Sequence, residues 1–87
     1  MYLKRLFKLM ADRSASDLFV TCGAPIHIKV NGQMTPVSTQ PIDPTTAKTI
    51  AYEMMTPAQI ERFERDLEMN VSHIEPELGN FRINIMH

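Results

Sequence analysis

The hydrophobic period of this 87-residue chain changes three times between its ends, and that alternation limits the folds it can form. It opens with Leu3, Leu6, Phe7 and Met10 at helical spacing, with Lys4, Arg5 and Lys8 mostly on the other side. Such a stripe predicts an amphipathic helix ending near Arg13, with a break over residues 14–17. The period then drops to two. Residues 18–22 form a short apolar run with Phe, Val and Thr, a strand by length and composition. After Gly23-Ala24-Pro25, Ile26, Ile28 and Val30 alternate with His27 and Lys29, which predicts a half-buried strand. Asn31-Gly32 tolerates the positive φ angles of a type I′ turn, so residues 33–37 should fold back as the hairpin partner. A two-residue turn sets Val30 opposite Gln33 and Ile28 opposite Thr35. This imperfect apolar match leaves open which face is buried.

The helical period returns after a linker. Asp43 can accept from the first free N–H groups of a helix, and Pro44 has none to leave unpaired. Ala47, Ile50, Ala51 and Met54 mark one face. Thr56-Pro57-Ala58-Gln59 reads as a capping box opening a second helix. Ile60, Phe63 and Leu67 are its expected core residues, and Glu61 and Arg65 are spaced for an i,i+4 pair. Residues 69–74 regain strand composition, residues 75–80 read as a loop, and Phe81, Ile83 and Ile85 alternate with Arg82 and Asn84. A leading helix, a hairpin, a central helix pair and a second hairpin predict an α+β domain with a mostly antiparallel sheet. The length leaves room for one core, so residues 1–87 are expected to form a single domain. The last strand is expected to run to His87 with no turn or polar tail, as in the front part of a longer chain.

Composition excludes several function classes. Nine Lys and Arg against ten Asp and Glu leave a net charge of −1. That balance gives no field to attract nucleic acid, so no such partner is expected. The single cysteine rules out an internal disulfide, and no signal-peptide pattern opens the chain, so a reducing cytoplasm is expected. No apolar run approaches the roughly 18–20 residues of a membrane span. The three glycines, Gly23, Gly32 and Gly79, form no G-x-x-x-x-G-K-[ST] loop, so this segment cannot grip a nucleotide in that way.

The reactive side chains are few. Cys22 precedes a glycine turn, but no local base or cation would activate it, and a small packed thiol is expected. His27, His73 and His87 fit no metal-ligand spacing, and no metal site is expected. Glu75 and Glu77 resemble an acid pair but read as a solvated hairpin loop. The basic first helix suggests a weak membrane-surface adaptor, against which packing on its own sheet is preferred. Arg82 stands apart: a long cation on the outward side of a terminal strand, it is the candidate for bidentate contact with an anion.

Ser16-Asp17-Leu18-Phe19, Gly23-Ala24-Pro25 and Ile28-Lys29-Val30-Asn31-Gly32 occur here in order. With the leading helix, the two capped helices and the closing Phe81-Arg82-Ile83-Asn84, the chain resembles the N-terminal domain of type IV pilus retraction ATPases. These form the PilT/PilU branch of the secretion ATPase superfamily. The resemblance spans nearly the whole chain. Phe19 stands where the family often has His, which is closer to the PilU-type branch, and Ala24-Pro25 stands where the family has paired prolines.

The resemblance implies a PAS-like domain in front of a RecA-like ATPase core. It implies a homo-hexamer in which this domain packs on the neighbouring subunit's core. ATP and Mg would bind the full-length protein, and turnover would drive pilus disassembly with the inner-membrane machinery. The superfamily places an arginine in the strand where Arg82 lies, facing nucleotide phosphates when the domains close. The catalytic boxes would lie beyond His87, leaving no catalytic residue here. The alternative is a free-standing PAS-like sensor with a small-ligand cavity among Phe7, Phe19, Ile28, Phe63 and Phe81, or a protein-interaction module.

Overall fold

The computed structural model describes residues 2–86. The elements follow in the order α1 (Tyr2–Asp12), β1 (Ala15–Thr21), β2 (His27–Val30), β3 (Gln33–Pro36), α2 (Pro44–Met54), α3 (Pro57–Asp66), β4 (Glu68–Glu75) and β5 (Gly79–Met86). One five-stranded sheet has the order β3-β2-β1-β5-β4. Three of its four junctions are antiparallel; the interior one between β1 and β5 is parallel. The chain is therefore α+β with a mixed sheet, and mostly antiparallel as expected. A parallel pair needs a crossover, and everything from β2 to β4 supplies it.

Hydrophobic periodicity explains which surfaces meet. Leu3, Leu6, Phe7 and Met10 of α1, Ala47, Ile50 and Ala51 of α2, and Phe63 of α3 are buried in one core. They share it with Leu18, Val20, Ile28, Met69, Phe81, Ile83 and Ile85 from the sheet. The helices thus cover one face of the sheet. Because α1 spends its apolar stripe on this core, the membrane-adaptor reading loses its anchor. Among the described residues no helix is long and apolar enough to cross a membrane.

Local signals hold closely. The hairpin register pairs Val30 with Gln33 and Ile28 with Thr35, and Asn31 and Gly32 have φ of 52° and 78°. Ile28 faces the core, and β3 tolerates the poor match because it is a short, largely exposed edge strand. Asp43 accepts from the Thr46 N–H at 2.7 Å, and Thr56 and Gln59 close the capping box. At α1, Glu53 of α2 accepts from the Leu3 N–H at 3.3 Å, so a neighbouring helix satisfies a first-turn donor.

Five details differ from expectation. The break after α1 is shorter than residues 14–17: Ser14 takes a left-handed φ of 56° and β1 begins at Ala15. Ile60 is only half-buried and outside the core, and Leu67 is not in the core either. Leu67 is the left-handed C-cap of α3, with φ 62°, and it points outward. Arg65 contacts Asp66 at 3.4 Å, one residue on, in place of the expected pairing with Glu61. Glu75 ends β4 and is half-buried rather than lying in the loop. The expected end of the last strand at His87 lies outside the described residues.

Candidate functional site

The face of the sheet away from the helices carries the polar side chains. Alternation along β1 sends Leu18 and Val20 into the core and Asp17 and Phe19 to the other face. Strand pairing then sets residues side by side. Asp17 is level with Lys29 of β2 on one side and with Arg82 of β5 on the other. Lys29 is in turn level with Met34, and Arg82 with Ser72. A row runs across the whole sheet with a carboxylate between two cations at its centre.

The three charges have different surroundings. The Arg82 side chain is 70% exposed and that of Asp17 is 13% exposed, with Arg82 Nε 3.8 Å from Asp17 Oδ1. That distance is an ion pair without a well-formed hydrogen bond. The Ser16 hydroxyl donates to Asp17 Oδ2 at 2.6 Å and fixes the carboxylate. Lys29 Nζ lies 5.8 Å from the centre of the Phe19 ring, within cation–π range. One step along the strands, the Asn84 amide donates to the Leu18 carbonyl at 3.2 Å, tying β5 to β1 beside the row. Ser16, Asp17, Ser72, Asn80 and Arg82 line an open depression of about 410 Å³. The arrangement offers an outward guanidinium, held on one edge and open on the others, whose N–H groups can donate to an oxyanion.

The remaining candidates are not part of this row, although His73 also lines the depression beside it. Cys22 is half-buried at the end of β1, where its N–H donates to the Met86 carbonyl. His27 Nδ1 is 2.8 Å from the Pro25 carbonyl oxygen. His73 faces the helices, stacked on Phe7 with ring centres 4.7 Å apart, and its Nε2 is 2.8 Å from Glu75 Oε2. Glu77 is exposed in the β4–β5 turn, and His87 lies outside the described residues. Among the described residues no three His, Cys, Asp or Glu side chains are grouped to hold a metal. Phe7, Ile28, Phe63 and Phe81 are in the core, whereas Phe19 lies on the opposite face under Lys29. The five residues therefore do not surround one cavity. Another depression, of about 560 Å³, lies between α1 and the β4–β5 turn. There Lys4, Arg5 and Lys8 face Glu75 and Glu77, so the charges largely cancel.

Sequence reasoning singled out Arg82 and did not identify Asp17 and Lys29 as its neighbours. Ser16-Asp17 was visible as a motif, but only the parallel pairing of β1 with β5 brings Asp17 to Arg82.

No family model matches the chain. It is 31% identical over 87 residues to the type IV pilus ATPase PilU of Pseudomonas aeruginosa, covering 100% of this chain and 23% of that protein. It is 30% identical over 84 residues to the type IV pilus retraction ATPase PilT of the same organism, covering 97% of this chain and 24% of that protein. The crystal structure of the pilus retraction motor PilT with bound ADP matches 97% of this chain and 24% of its own, with a TM-score of 0.71 at 25% identity. The chain thus spans about a quarter of the length of the relatives it matches. The matching quarter is their N-terminal part, as the sequence motifs led us to expect. The two identities lie one point apart (31 against 30) and do not separate the PilU from the PilT branch.

Proposed function

We propose that this chain, homologous over its length to the N-terminal part of the PilU and PilT type IV pilus ATPases, is the non-catalytic assembly and regulatory domain of a pilus retraction ATPase. The single observation that carries this is the whole-chain match to the same quarter of two such proteins, with the same fold in a third comparison. In this reading residues 1–87 are a PAS-like domain, and a RecA-like core elsewhere in the full-length protein binds ATP and Mg. The full-length protein is a homo-hexamer at the cytoplasmic face of the inner membrane, working with the pilus machinery in twitching motility. This domain contacts its own core and the neighbouring subunit.

The physics supports a positional role. A motor needs a rigid body whose placement depends on nucleotide state. A single sheet backed by three helices supplies that body, and its open face supplies an arginine. Arg82 is proposed to contact nucleotide phosphates in the closed arrangement only. A contact present in one arrangement and absent in the other shifts the equilibrium by its differential energy.

The test has two arms. The 87-residue chain alone should release no phosphate from ATP above buffer, and turnover by it would overturn the non-catalytic reading. In the full-length protein, Arg82→Gln should lower ATP turnover at least tenfold with the hexamer intact. Unchanged turnover would remove Arg82 from the site while leaving the domain assignment in place.

A further inference from the structure

We propose that Asp17 is a latch for Arg82: a counter-ion that holds the guanidinium on the sheet and must release it before Arg82 can take a phosphate. The inference rests on the reading of Arg82 as a phosphate contact and adds a positioning residue to it.

Three observations carry it. First, the parallel register sets Asp17 and Arg82 level on adjacent strands, roughly 4.8 Å apart at the backbone. Second, the two partners are unequally anchored. The carboxylate is mostly enclosed and tied by the Ser16 hydroxyl, while the guanidinium is largely in water. Arg82 is therefore the member that leaves. Third, the second cation of the row cannot easily replace it, because Lys29 is engaged over the Phe19 ring on the far side of Asp17. When Arg82 departs, an enclosed carboxylate keeps one hydroxyl partner, and that loss opposes anion binding.

The pair is long and one partner is exposed, so the opposition is modest. Linkage makes it reciprocal: whatever Asp17 contributes to holding Arg82 is subtracted from the anion's affinity. A latch of this strength makes closure sensitive to the full charge of a polyphosphate, which competes with one carboxylate better than a single phosphate does.

The test uses the 87-residue chain, with inorganic tripolyphosphate as probe, and follows the Arg82 Nε–Hε resonance and the Asp17 carboxyl carbon by NMR. In the wild-type chain both signals should move with one common midpoint. Asp17→Asn should lower the Arg82 midpoint about two- to fivefold, and Asp17→Glu should restore it toward wild type. Inorganic phosphate should bind more weakly than tripolyphosphate in every form. An Asp17 carbon that stays still while Arg82 moves overturns the latch without using a variant. An Asp17→Asn midpoint that is unchanged or higher does the same. In both cases Arg82 survives as a phosphate contact. Arg82 signals that respond to no phosphate, in wild type and in Asp17→Asn alike, overturn the latch, because Asp17 is then not what restrains the guanidinium; the reading beneath it stands or falls separately, on ATP turnover by full-length Arg82→Gln.

Discussion

Replacing Ile83 by alanine tests the one junction that local sequence could not announce. Ile83 is 0% exposed, level with Leu18 of β1 on one side and Val71 of β4 on the other. Truncating a buried Ile to Ala removes its transfer free energy and leaves a cavity, about 2–5 kcal/mol together. A site between two paired strands under three helices has little room to collapse, so we expect about 3 kcal/mol or more. An 87-residue domain has on the order of 4–13 kcal/mol in all, so the loss is a large share of it. Urea unfolding followed by far-UV circular dichroism should show the midpoint falling by about 1–3 M, for a slope near 1–2 kcal/mol/M. The control is Ile74→Ala on edge strand β4, 73% exposed, which should stay within about 0.5 kcal/mol. Were the two hairpins separate, β5 would be an edge strand and Ile83 would border solvent. A loss below about 1 kcal/mol for Ile83→Ala, or fast amide exchange along β5, would refute the parallel β1–β5 junction.

Two further outcomes follow from the helix ends. The Thr46 N–H holds the Asp43 carboxyl below its ordinary value of 3.8. With the folded value depressed, its contribution to α2 is fully present above 3.8 and is lost as pH falls through the lower folded value. An acid titration of the Thr46 amide resonance should show this step, Asp43→Asn should abolish it, and a step surviving in that variant would refute the cap. Leu67 holds φ of 62° with its side chain 48% exposed. Leu67→Gly should therefore leave stability unchanged or raise it by up to about 1 kcal/mol, because glycine adopts this conformation without a Cβ clash. A loss above 1 kcal/mol in thermal unfolding would show that the apolar contact outweighs the strain.

What the sequence made legible was local. Asn31-Gly32 carries its turn in two residues, and Thr56 and Gln59 carry their capping box in four, so neither needs distant information. Leu67 shows where such reasoning fails. It lies four residues after Phe63 and continues the helical stripe, yet the backbone turns left-handed there and sends the side chain out. The β1–β5 junction was invisible for a different reason. Asn84 and Leu18 meet across 66 residues, and no periodicity reports which distant strands adjoin. Arg82 could be singled out because outward alternation is a property of its own strand. Its partners could not, because they belong to the junction.

The composition of the row also depends on one irregularity in β1. From Asp17 onward the β1–β2 register pairs Asp17 with Lys29 and Leu18 with Ile28, but Ala15 pairs with Val30. Continuing the Ala15 register without interruption would set Ser16 against Lys29 and Asp17 against Ile28. Ile28 is buried, so Asp17 would be directed toward the core and Leu18 toward solvent. The extra residue at the Ala15–Asp17 shift reverses that parity, as a bulge does. It lets Ala15 remain buried beside α1 while Asp17 emerges on the open face between two cations. Ser16, the residue absorbed by the shift, is also the donor that fixes the Asp17 carboxylate. One local distortion therefore both brings the carboxylate to Arg82 and holds it there, so Ser16 and Asp17 set this part of the row together although neither residue alone marks a site.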